Sequence, residues 1–201
     1  MTHAVFTPAV DAFRFYQSGT ESGSTPLANQ GTNITVNVDS GNVAFQLRYR
    51  VQETGGADGA STDDYGLQRD IDGGGYATIT GATTGIIASA SGLTNDAAST
   101  NRATNGITDG TGSFVAGEQC TDGLLDDSQL TASNFTEHVW GGTVVAADVS
   151  NGNVISFRVS LNGGTPGITN SVTPTITITK TAAFNPGWAH RATQTILSGA
   201  S

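Results

Sequence analysis

The chain has 201 residues, enough to bury a sizeable core as one domain. Only 12% of them are charged, the net charge is -9, and the pI is near 4.4. Such a surface repels phosphate backbones, so no nucleic acid partner is expected, and no apolar run is long enough to span a membrane. Cys120 stands alone, so an internal disulfide and a zinc site of paired cysteines are both excluded.

The first residues, Met-Thr-His-Ala-Val-Phe, carry neither a basic segment nor an apolar core. They do not read as a signal peptide, so synthesis in the cytoplasm without export is expected. Residues 1–11 read as an arm. Ala12 to Tyr16 reads as a short strand with Phe13 and Phe15 on one face. Residues 18–31 form a turn-rich loop broken by Pro26. Ile34, Val36 and Val38 alternate with Thr35 and Asn37, a second strand.

Asp39-Ser-Gly-Asn then leads into the stretch that organises the chain, Val43 to Val51. Val43, Phe45, Leu47, Tyr49 and Val51 fall on one side; Ala44, Gln46, Arg48 and Arg50 fall on the other. Strict alternation is the period of a half-buried strand. The two strands and their short connection predict a hairpin. Arg48 and Arg50 share the polar face, solvated or paired with carboxylates such as Glu53; pairing across subunits is the sharper alternative.

Tyr65, Leu67, Arg69 and Ile71 alternate into Asp72-Gly-Gly-Gly, and Tyr76, Thr78 and Thr80 lead out, the clearest hairpin in the chain. Ile86 and Ile87 mark a short strand. Residues 92–111 are small and polar and predict surface loops. Ser113 to Ala116 predicts a strand, and Leu124, Leu125 and Leu130 punctuate an acidic loop with Asp126 and Asp127. Phe135 to Val149 predicts a long strand with a bulge or close approach at Gly141-Gly142. Ile155, Phe157, Val159 and Leu161 alternate cleanly. So do Val172, Ile176 and Ile178, with Pro174 placing that strand's start or marking an edge.

No amphipathic helix is present. The strands predict an all-β fold, an antiparallel β-sandwich to which a jelly-roll arrangement is open, over residues 12–180 with extended arms at 1–11 and 181–201. The last arm carries Phe184, Trp188, Ile196 and Leu197 without strand or helix period. These residues either fold back over the sandwich or dock on a partner.

Chemistry is sparse. Asp70-Ile-Asp72-Gly lacks the further ligands of a calcium loop. Asp63-Asp64 and Asp126-Asp127 read as loop charges. His3, His138 and His190 have no metal-ligand spacing, and Cys120 has no base near it in sequence. No cofactor and no catalytic residue is expected. Asn33-Ile-Thr and Asn134-Phe-Thr match the glycosylation pattern by composition alone.

Several stretches, in order, carry a resemblance: Phe13-Arg-Phe-Tyr with Gly19-Thr-Glu, Leu47-Arg-Tyr-Arg-Val-Gln-Glu-Thr-Gly-Gly, and Tyr65-Gly-Leu-Gln with its Gly-rich turn. Gly112-Ser-Phe-Val-Ala-Gly-Glu, Asn134-Phe-Thr-Glu, Ala147-Asp-Val-Ser-Asn-Gly-Asn-Val-Ile-Ser-Phe-Arg-Val and Val172-Thr-Pro-Thr-Ile-Thr-Ile come next. Together they resemble a β-sandwich module of phage virion structural proteins that also occurs in bacterial surface proteins. The resemblance implies a structural or surface part, not an enzyme. With the helix-poor domain, the lack of an export signal and the apolar arms, the leading expectation is a capsid decoration (cement) protein on the virion surface, assembled in the host cytoplasm. The partners it implies are the major capsid protein or other virion subunits and further copies of the chain, as a trimer. Arg48, Arg50, Phe184, Trp188, Ile196 and Leu197 are the candidate partner-binding residues. A tail-fibre or receptor-binding module for cell-surface glycans, or a bacterial adhesin, is the alternative.

Overall fold

The computed structural model describes residues 3–125, 128–163 and 167–181. They fold as an all-β sandwich of two six-stranded sheets. The first sheet is built on β3 (Val43–Glu53), flanked by β1 (Pro8–Gln17) and β9 (Phe135–Val144). β11 (Thr169–Asn170) lies outside β1. The far edge of β9 is shared by β6 (Ile86–Ala88) and β7 (Phe114–Cys120). The second sheet runs β2 (Ile34–Asn37), β12 (Thr175–Thr179), β10 (Val154–Leu161), β4 (Tyr65–Ile71) and β5 (Ala77–Thr78), with β8 (Leu124–Leu125) also on β4. Most pairs are antiparallel; β1 with β11, β2 with β12 and β7 with β9 are parallel.

The core lies between the sheets. Phe15, Phe45 and Phe157 meet there with ring centroids about 6 Å apart in tilted and edge-on contacts. Leu47, Val51, Leu67, Ile155, Val159, Ile176 and Ile178 complete it, all buried. Gly142 pairs with Phe45 across the sheet, and a Cβ there would sit 2.8 Å from the Phe45 ring. On the opposite face, a Cβ at Gly141 would collide with the Ser89 carbonyl. The glycine pair is therefore a close approach on both faces of β9.

Four expectations change. The strand expected over Phe135 to Val149 ends at Val144, and a 3-10 turn at Ala146–Asp148 follows it. The strand around Phe13 starts earlier, at Pro8, because Pro is tolerated at a strand's first position and Val10 is buried. A bulge between Val10 and Ala12 leaves Asp11 as the extra residue. β2 and β3 do not form a hairpin: β2 pairs with β12 in the second sheet, and β3 pairs with β1 and β9 in the first. The turn at 39–42 therefore carries the chain from one sheet to the other. Residues 92–111 are not loops lying free on the surface. With residues 18–31 they cover the outer face of the first sheet, and Glu21, Ser24, Leu93, Ser99 and Ile107 are buried among them.

The hairpin of β4 and β5 is present, with Gln68 opposite Thr78 and Arg69 opposite Ala77. Asp72, Gly73 and Gly75 supply the positive φ its turn needs.

Candidate functional site

The outer face of β3 is where the chain concentrates its polar and charged side chains. The strand's period places Gln46, Arg48, Arg50 and Gln52 in one row. Each reaches into the loops above and grips backbone. Gln46 donates to the Gly19 and Ser91 carbonyls. Arg48 donates to the Thr100 carbonyl at 2.9 Å, and Arg50 to that of Thr108. Gln52 donates to the carbonyls of Thr111 and Asn134 at 3.0 Å each, and accepts from the Thr111 N–H at 2.8 Å. On β1, Arg14 donates to the Ala28 and Gly106 carbonyls at 3.0 and 2.9 Å, and the Tyr16 hydroxyl donates to the Asn105 carbonyl at 2.8 Å. Arg102 lies 4.9 Å from the centre of the Tyr16 ring and donates to the Ser24 carbonyl at 3.0 Å.

Arg48 is the centre of this layer. Its side chain is 1% exposed. It pairs with Glu21 from the first loop and, at 2.6 Å, with Glu137 of β9. Glu21 is held in turn by the Thr100 N–H at 3.2 Å and hydroxyl at 2.9 Å. Burial pushes the Glu137 carboxyl above its ordinary range, and the guanidinium opposes that shift. Arg50 makes a two-point pair with Asp11, at 2.8 and 2.9 Å, because the bulge aims that carboxylate at it. Both guanidiniums thus have carboxylate partners within the chain. Phe184, Trp188, Ile196 and Leu197 lie outside the described residues, as do Asp126 and Asp127.

Glu53 does not pair with either arginine. Its carboxylate accepts the backbone N–H groups of Thr7, Gly55, Gly56 and Ser133 at 2.6–3.1 Å. Burial opposes its charge, but the four backbone donors outweigh that and hold the carboxyl below its ordinary range. One side chain thereby ties the N-terminal residues, the end of β3 and the loop before β9.

The inner face carries a second polar group. His138 of β9 stacks against Tyr65 with centroids 4.8 Å apart and meets Trp140 edge-on at 5.7 Å. Its Nδ1 accepts the Glu118 N–H at 3.2 Å, so a neutral ring carries its proton on Nε2. Burial drives its pKa down to about 3, leaving it neutral across the physiological range.

The remaining candidates have structural partners. The Cys120 thiol donates to the Leu124 carbonyl at 3.1 Å, and burial pushes its pKa up to about 12, far from a nucleophile's range. Asp70 accepts the Gly75 N–H at 3.0 Å; Asp72 accepts from the Asn153 side chain and the Val154 N–H at 2.5 and 2.7 Å, joining two turns. Asn33 accepts from Thr175, and Asn134 bridges Ser113 and Thr131. Among the described residues no cluster of three His, Cys, Asp or Glu could hold a metal ion, and no helix is long and apolar enough to cross a membrane.

The residues missed by sequence reading are Glu21 and Glu137, with Asp11. A signal for them exists: the polar face of β3 carries Arg and Gln rather than Lys and Glu. Planar side chains with several donors suit backbone carbonyls and carboxylates held in fixed positions. Comparison with models of known protein families, with curated proteins and with solved structures gives no match.

Proposed function

We propose that the chain is a structural protein of a phage particle, a head-decoration (cement) unit that docks on the outside of the capsid and stabilises it. The observation that carries this reading is the use of the charged row. Arg48, Arg50, Glu21, Glu137, Asp11 and Glu53 bind one another or the chain's own backbone, locking long loops onto a sheet. Charge used in this way stiffens a unit that must resist force. The strand and turn stretches that resemble phage structural modules support the same reading. The work is then mechanical. Contacts of about 1,500 Å² with the major capsid protein and neighbouring copies, repeated over the shell by symmetric trimers, resist outward pressure.

The test is to count copies of this polypeptide in purified particles by quantitative mass spectrometry. Hundreds of copies in fixed ratio to the major capsid protein are expected. A handful would favour a tail-fibre or receptor-binding module for cell-surface glycans. Absence from particles would overturn the virion reading and favour a bacterial surface adhesin.

A further inference from the structure

Asparagine followed by glycine is prone to spontaneous rearrangement, because a residue without Cβ leaves its amide nitrogen open to the preceding side chain. The chain has three such pairs, Asn105-Gly106, Asn151-Gly152 and Asn162-Gly163, and all three asparagines are exposed. The following residue is the same in each, so the fold is what separates them. Asn151 Oδ1 accepts the Lys180 N–H at 3.0 Å, and the Gly152 N–H donates to the Ile178 carbonyl at 2.9 Å. Asn162 Oδ1 accepts the Asp64 N–H at 2.9 Å, and its Nδ2 donates to Asp63 at 3.1 Å. The Asn105 side chain has no hydrogen-bond partner among the described residues.

The surroundings of Asn105 also favour the chemistry. The rearrangement starts when the Gly106 amide gives up its proton. The negative charge is shared with the Asn105 carbonyl oxygen, since the peptide bond is conjugated. That oxygen accepts the Tyr16 hydroxyl at 2.8 Å. Three guanidiniums stand around the Tyr16 ring, Arg102 at 4.9 Å and Arg14 and Arg48 at 6.0 Å from its centre. A hydrogen bond and a positive field placed where charge develops lower the barrier to forming it. The nitrogen then attacks Asn105 Cγ, the proton passes through water to the departing ammonia, and a cyclic imide closes. Water opens the ring at either carbonyl, so water is the co-reactant and nothing is oxidised or reduced. Opening at the old side-chain carbon gives aspartate. Opening at the old main-chain carbon gives isoaspartate, whose free carboxylate keeps the oxygen that Tyr16 holds.

That carboxylate would meet unspent positive charge. Among the described residues neither Arg14 nor Arg102 has a carboxylate partner, and Arg14 already donates to the Gly106 carbonyl at 2.9 Å. An isoaspartate also lengthens the main chain by one methylene beside Ile107, which is buried under the cover of the first sheet. We propose that Asn105-Gly106 is a self-modification site of the folded protein: its imide forms with the Tyr16 hydroxyl on the Asn105 carbonyl, and it opens to a carboxylate that faces Arg14 and Arg102. The inference stands apart from the particle reading and holds whatever the chain is attached to.

The test incubates the full chain near neutral pH in heavy-oxygen water, digests it in ordinary water and maps the peptides by mass spectrometry. Label marks conversion before digestion, and electron-transfer fragmentation tells isoaspartate from aspartate. Asn105 should take up label several-fold faster than Asn151 and Asn162, with isoaspartate among its products. In the chain unfolded in urea that lead should vanish. Asn151 or Asn162 keeping pace in the folded protein would overturn the proposal, as would a lead that persists in urea. Tyr16→Phe removes only the hydroxyl and should slow Asn105 several-fold, while Asn151 and Asn162 stay slow and so report an intact fold. Arg102→Gln, at a partly exposed position, is the second variant and should slow Asn105 in the same direction. Conversion of Asn105 as fast as in the unaltered chain, in both variants, would overturn the part given to Tyr16 and its arginines.

Discussion

In the second sheet, β10 alternates as a half-buried strand does: Ile155, Phe157 and Val159 point into the core, while Ser156 and Arg158 are partly exposed. In the first sheet, β3 alternates just as cleanly in chemistry but not in burial. Gln46, Arg48 and Gln52 are as deeply enclosed as Phe45, Leu47 and Val51. The difference is what lies above the strand. Water reaches the outer side of β10 at Ser156 and Arg158, though not at Ser160, whereas the chain's own loops cover that of β3. The first sheet therefore has two cores, one held by apolar contact and one by hydrogen bonds and ion pairs. The polar one is the less forgiving. A satisfied buried hydrogen bond contributes about 1 kcal/mol net, but a buried charge stripped of its partner costs several times that.

The sharpest way to break this contrast is Arg48→Met. It leaves Glu21 and Glu137 buried without their cation and should destabilise the fold by about 3–5 kcal/mol in urea unfolding. Arg158→Met is the matched control on the second sheet. Arg158 lies over the Tyr76 ring at 4.0 Å and donates to Gln68 at 2.8 Å, yet it is partly solvated, and its loss should cost about 1 kcal/mol or less.

His138 tests the inner face. Its folded pKa of about 3 lies below the 6.5 of an exposed histidine. Between those values the unfolded chain binds a proton that the native chain does not. Stability is then complete above pH 6.5 and falls as pH drops, by about 1.4 kcal/mol per pH unit from this group alone. Glu137, whose carboxyl is raised, acts in the opposite sense, so the readout is the difference between the protein and His138→Gln. The variant's stability profile should lack this slope. Equal slopes would mean that the ring is solvated. Glu53, held low by backbone donors, acts in a lower window. Its contribution is present above about 4.5, the value of a free glutamate, and is lost as pH falls through its folded value.

Gln52 addresses the loop layer directly. Gln52→Ala removes its grip on Thr111 and Asn134 and should cost about 1–3 kcal/mol. Hydrogen exchange should quicken in residues 105–112 more than in β10. Uniform quickening would show that the loops are not a separately held layer.

The elements legible in the sequence are those whose signal is local. β3, β10 and the hairpin of β4 with β5 follow from alternation and a glycine-rich turn. The pairing of β2 is not legible, because Ile34, Val36 and Val38 specify a strand but not which neighbour it meets across about 140 residues. β11, Thr169–Asn170, is too short to have a period. The cover over β3 escapes a sequence reading for a related reason. Residues 92–111 are small and polar, which describes a solvated loop and equally a loop gripped through its backbone. What decides between them is Glu21 meeting Thr100 and Arg48, a contact among residues far apart in sequence. The row of Arg and Gln is the available clue, and it points to backbone carbonyls only once something is known to lie above it.

A small expected effect sits two residues from the largest. Arg50 occupies the same row as Arg48 and also has a carboxylate partner, but the Arg50 and Asp11 side chains are 13% and 31% exposed. Water reaches the pair, so its Coulomb gain is screened and neither charge is stranded when the other is removed. Asp11→Asn keeps the shape of the bulge and should cost only about 0.5–1 kcal/mol. That cost should shrink in about 1 M salt, where the Debye length falls to roughly 3 Å, while the cost of Arg48→Met should barely change. If instead Asp11→Asn matched Arg48→Met and ignored salt, the bulge end of β3 would be sealed like its middle. The polar core would then run the full length of the strand.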